Sequence, residues 1–150
     1  MVVLVLTHAG IGAVWLGAMA YSLLVVQPRA QRFFADPLEY EQFAATVAAG
    51  ARWKVLAMMA ALAASGAALA WLGIAEGRPA AWTGLVIAKG GLLLVSLALF
   101  WSVSWRLWPR RLFALPSELP ALRRRFQLTA LALAATVAAS FALGVLAAHG

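Results

Sequence analysis

The chain contains no cysteine. Disulfides, thiolate nucleophiles and Cys-ligated zinc or iron–sulfur centres are therefore excluded. Charge is scarce as well: 11% of the 150 residues are charged and only five of those are acidic. None of the five acids falls inside a long apolar run, so no carboxylate pair can form within one. There is no phosphate-cradling glycine loop, no zinc-protease helix and no Ser/His/Asp constellation. Hydrolase and ATPase functions have no support in the residues.

Apolar residues fill what is left. They make up 65% of the chain, and the mean hydropathy is +0.89. A soluble domain of this length could not hide so much apolar surface, because small domains keep much of their area in water. A bilayer removes that problem. Within it every backbone polar group must be paired inside the chain, so long apolar runs read as helices. Four runs stand out, at about 2–26, 53–74, 81–108 and 126–148. Each has about the 20 residues needed to cross a core of ~30 Å. The expectation is a single all-α domain, an integral membrane four-helix bundle.

The segments between the runs are polar and rich in proline. Residues 27–51 carry Pro28, Arg29, Arg32, Asp36, Pro37, Glu39 and Glu41, and the stretch 39–43 could form a short interfacial helix. Glu76-Gly77-Arg78-Pro79 reads as a tight turn. Pro109 to Pro120 forms the third break, with a helix start expected near Pro120.

Ten of the twelve Lys and Arg flank the first and third breaks. The positive-inside rule places those two loops in the cytoplasm and both termini, with the 2–3 turn, outside. The expected location is the plasma (inner) membrane of the cell. The first run lacks a positive leader and is too long for a signal peptide, so it reads as an uncleaved span. The net charge of +7 does not indicate a nucleic-acid partner, because the basic residues sit beside helix ends. The partner is the bilayer. Arg110, Arg111, Arg123, Arg124 and Arg125 could attract anionic headgroups, although topology signalling alone would also explain them. Ala60, Ala64 and Ala68, and Ala130, Ala134, Ala138 and Ala142, recur every fourth residue; such stripes permit close helix packing, within the chain, in a homo-oligomer or against a larger complex.

Of the His, Lys and Arg residues, two lie well inside the runs, away from their cytoplasmic ends. His8 is about seven residues into the first, and Lys89 about eight into the third. At ~1.5 Å per residue both lie ~10–12 Å below the outer end. Gly12, Trp15 and Met19 fall on the face of His8 by helical periodicity, and Gly12 would leave space beside the imidazole. An imidazole or ammonium at such depth needs a partner, a cavity or a route to the surface. Glu76 is on the correct side to pair with Lys89. Gly90 and Gly91 favour close packing of a neighbour. Trp15 apart, the tryptophans fit interfacial belts: Trp71 and Trp82 at the outer turn, and Trp53, Trp101, Trp105 and Trp108 toward the inner side.

His8-Ala-Gly-Ile-Gly-Ala-Val-Trp15-Leu-Gly17, followed by Val25-Val26-Gln-Pro28, resembles the opening of the copper resistance protein D domain. Arg52, Ser65-Gly66, Ile87-Ala88-Lys89, Arg106, Pro109 and Leu122-Arg123-Arg124 follow in the family's order, so the resemblance runs from about residue 7 to 147. The same pattern is similar to the haem-binding membrane protoporphyrinogen oxidase of bacteria, which has a His and a Trp in helix one and a Lys in helix three. That family adds a Tyr-His at the end of helix three, where this chain has Phe100-Trp101-Ser102. The resemblance implies one scaffold with His8 and Lys89 near one site. The first expectation is copper handling near the outer face, which would use His8 and Met19, with Met1 or His149 as further donors, and haem b is the alternative. Haem b would take His8 as axial ligand, with Gly12 and the pair Gly90-Gly91 making room and Lys89 on a propionate. A third expectation is an accessory subunit of a larger complex, without chemistry of its own.

Overall fold

The computed structural model describes residues 1–149, with side chains described as far as residue 147. The described residues form four long helices and no strand. Helix α1 is Val2–Phe33, α2 is Pro37–Ala75, α3 is Ala80–Leu112 and α4 is Leu119–His149. Each is long and apolar enough to cross a membrane, and the chain has the build of a multi-pass membrane protein. The helices run antiparallel in ring order, α1 against α2 and α4, and α3 against α2 and α4. Both termini and the 2–3 turn thus share one end of the bundle, the terminal end. The other two connections share the opposite, arginine-rich end.

The helices are longer than their apolar runs. Helix α2 has 39 residues without interruption, about 58 Å at ~1.5 Å per residue. The expected interfacial helix at 39–43 is its first turns. Asp36 starts it, accepting a 2.8 Å hydrogen bond from the Leu38 N–H, and Pro37 occupies the first position, where its missing N–H is not needed. Pro120 is the second residue of α4, in its first turn, close to where the sequence puts the helix start. In the 2–3 turn, Gly77 takes φ +71°, a left-handed conformation that suits glycine.

Pro28 and Pro109 do not end their helices, contrary to the sequence expectation. A proline ring clashes with the carbonyl four residues back and offers no N–H. Both helices avoid this by widening into a π-turn just before the proline, at Ser22–Val26 and Ser102–Leu107. Gln27 and Trp108 then donate to the carbonyls of Ser22 and Val103, five residues back. In that register Pro109 would have to donate to Ser104, and cannot. Arg52 of α2 supplies the missing donor, at 2.9 Å from the Ser104 carbonyl.

One core residue or more from every helix meets at the centre: Trp15, Met59, Phe100, Leu133 and Val137. Beside them the buried Ser96 hydroxyl lies 2.9 Å from Thr136 Oγ1, which itself donates to the Leu133 carbonyl. Ser96 is therefore the donor, tying α3 to α4 in apolar surroundings. The alanine stripes do not pack this core. Ala60, Ala64 and Ala68 are exposed, as are Ala138 and Ala142. Gly90 and Gly91 are exposed too, and a methyl group on either would meet nothing within 4 Å, so they face the bundle exterior and seat no neighbour. Trp53, Trp71 and Trp101 face outward as belt residues do, whereas Trp108 is buried and the Trp82 ring lies against Gly73 so closely that no Cβ could stand there.

Candidate functional site

His8 of α1 faces α2. Its Nδ1 is 2.8 Å from Ser65 Oγ, and Ser65 Oγ is 2.6 Å from the Ala61 carbonyl oxygen. The hydroxyl has one hydrogen, and a carbonyl can only accept. Ser65 therefore donates to Ala61, the return bond to its own helix that serines often make, and His8 Nδ1–H donates to Ser65. The imidazole is left with its lone pair on Nε2. A histidine whose Nδ1–H is held by a neighbour is oriented and set in tautomer as a ligand through the other nitrogen.

The ring rests on Gly66: a Cβ there would stand 3.2 Å from His8 Cε1. The glycine that admits the imidazole is thus Gly66 of the neighbouring helix and not Gly12. A Cβ at Gly12 would meet Phe141 and Leu62 at 3.8 and 3.9 Å, ordinary contact distances, and no part of His8.

Lys89 sits on α3, across the bundle from α1. Its side chain runs to α4, where Nζ lies 2.8 Å from the position a Cβ of Gly144 would take. The expected pairing with Glu76 is not made: that carboxylate is 3.9 Å from Arg78 Nε. Among the described residues the other ion pairs join Glu41 to Arg111 and Arg123, so Lys89 has no carboxylate.

Trp15 is 3% exposed and Met19 packs beside it in the central core. Met19 is eleven residues from His8, ~16 Å along the helix axis, and the structure does not bring the two together. No group of three or more His, Asp or Glu side chains that could hold a metal ion occurs among the described residues. The side chain of His149 lies outside the described residues. The arrangement is therefore one oriented nitrogen donor and one uncompensated cation, on diagonal helices in the half of the bundle nearest the termini. Sequence reasoning did not assign Gly66 or Gly144 to this site, nor Ser65 as the partner of His8. A lone hydroxyl next to a glycine at matching depth was the available signal.

No known family, characterised protein or solved structure matches the chain. Its chemistry must be read from its own side chains.

The arginine-rich end is built differently. Glu41 is 4% exposed, and so is Arg111. Arg111 Nε donates to Glu41 Oε2 at 3.0 Å, and its Nη2 is 2.7 Å from the same oxygen without hydrogen-bond geometry. Arg123 Nε donates to Oε1 at 2.7 Å. Trp108 and Phe126 stand 4.7 and 4.8 Å from the Arg111 guanidinium carbon. Of the five arginines expected to attract headgroups, Arg111 is thus withdrawn: its guanidinium is enclosed by rings and committed to Glu41. Arg110, Arg124 and Arg125 remain exposed.

Proposed function

We propose that this membrane protein binds haem b through His8 Nε2, with Lys89 facing a propionate. The reading rests on the Ser65–His8 pair, which leaves a single nitrogen donor in a fixed tautomer. Haem iron accepts one axial histidine, whereas a copper ion held by protein alone needs several donors, and soft ones if it is Cu(I). A neighbouring ammonium repels a bare metal ion and attracts a carboxylate, which adds to the preference. Copper handling, carried by the resemblance to the copper resistance D domain, is the second reading. It would have to recruit donors beyond His8. When bound, haem would supply one-electron chemistry; His8 would hold it, Ser65 would orient His8, and Lys89 would neutralise an acid group.

The same proposal places the terminal end outside the plasma membrane and the arginine-rich end in the cytoplasm. A phosphatase fused after Gly150 should be active only if that end is exported.

The deciding experiment is an absorption spectrum of the detergent-purified protein, from haem-supplemented cells, before and after dithionite, with metal analysis of the same sample. A Soret band that shifts on reduction and vanishes in His8→Ala is the expected result. A colourless protein with roughly one copper per chain, lost in the same variant, would overturn haem in favour of copper. Neither signal would leave an accessory subunit.

A further inference from the structure

At the arginine-rich end a cavity of about 520 Å³ opens between the end of α1, the start of α2 and the start of α4. Gln31, Phe34, Tyr40, Arg123, Arg124 and Gln127 are among its walls. Its charge is unbalanced. Glu41, the acid bound to Arg123, also serves Arg111, so one carboxylate answers two guanidinium groups. Arg124 makes no ion pair among the described residues. Asp36, next in sequence to two wall residues, has turned its carboxylate to the Leu38 N–H. Arg111, Arg123 and Arg124 against Glu41 and Asp36 leave one positive charge in excess, and the two charged residues of the wall itself, Arg123 and Arg124, are both basic.

The walls are also organised. Arg123 is held through Nε by Glu41, over the Tyr40 ring at 5.2 Å, and reaches the Pro37 carbonyl through Nη2 at 3.5 Å. Its Nη1 has no acceptor among the described residues. Gln31 donates to the Tyr40 hydroxyl at 3.2 Å, which leaves the phenolic O–H free to donate. Pro120 in the wall marks the first turn of α4, whose dipole adds positive potential at that end. Arginine forks and hydroxyl donors around an open cavity match the oxygens of a phosphate. Phe34 and Pro120 offer apolar surface beside it. The cavity lies at the ends of the apolar runs of α1 and α4, where a bilayer spanned by those runs would put its headgroups.

We propose that this cavity binds a phosphate-bearing anion, and that in the membrane its occupant is the headgroup of an anionic phospholipid. The site is independent of what His8 holds. Native mass spectrometry of the full chain in mild detergent tests it, with phosphatidylglycerol titrated against phosphatidylcholine of the same acyl chains. The expected result is one phosphatidylglycerol per chain, retained about tenfold better than phosphatidylcholine, with that preference lost in R124Q/Q127L. The double variant R110Q/R125Q, which removes two exposed charges outside the cavity, should keep it. Equal retention of the two lipids, or equal loss in both double variants, would overturn the proposal. Millimolar inorganic phosphate separates the sources: displacement of the lipid identifies a site that also takes the free anion, and no displacement identifies one that needs the lipid.

Discussion

The two ends of the bundle treat buried charge in opposite ways. At the arginine-rich end, Glu41 and Arg111 are both almost fully buried and answer one another, with Arg123 completing the network. At the terminal end, Lys89 meets no carboxylate among the described residues, and His8 has one hydrogen bond on one nitrogen. A paired ionic network holds helices in register. An ionisable group kept inside a span without its complement has no such structural use, and its cost is a reason to look for a ligand. The difference separates architecture from candidate chemistry more clearly than the identity of the residues does.

Substitutions can break that contrast. The largest effect is expected at Glu41. Replacement by Gln leaves Arg111 charged, enclosed and without its counter-ion, and such losses cost about 3–5 kcal/mol. A thermal melt in detergent should drop by many degrees. If E41Q melts with the parent protein, the network is not structural. Arg52→Met comes next. It strands the Ser104 carbonyl beside Pro109, and an orphaned buried acceptor costs about 1–3 kcal/mol. Denaturant titration of the purified variant reads this directly.

Lys89→Met should have the opposite sign. Removing a charge that meets no carboxylate among the described residues should stabilise the ligand-free protein by about 1 kcal/mol while weakening whatever the site holds, the usual opposition between stability and function. A lower melting temperature for K89M would mean that Lys89 has a structural counterpart after all. Ser65→Ala is the smallest change to the fold, about 0.6 kcal/mol for a hydrogen bond between membrane helices. Its effect should be seen mainly in the spectrum of the loaded protein, because the imidazole loses the bond that sets its tautomer.

Much of the fold was legible in the sequence. Hydropathy alone located the four spans, because in lipid a long apolar run has no alternative to helix, and Gly77 with Pro79 marked the tight turn between the second and third. The prolines misled. Pro28 and Pro109 read as helix ends, yet a π-turn before each lets the helix continue. His8 and Lys89 were legible as anomalies, since single polar residues stand out in apolar runs. Their surroundings were not. Helical periodicity orders the residues of one helix around its axis, so it put Gly12 beside His8; the space comes from Gly66 on another helix. Glu41 looked like one acid of a polar connection. Its partners are 70 and 82 residues away in sequence, and only the assembled bundle brings them together.

The unbroken α2 has a mechanical consequence. Glu41 near its start and Ser65 near its far end are twenty-four residues apart, ~36 Å along a rod without a joint. A tilt of about 5° pivoting on Glu41 would carry Ser65 through ~3 Å, as far as its hydrogen bond to His8 is long. The anchorage of the arginine-rich end is therefore also the fulcrum that sets the aim of the imidazole at the other.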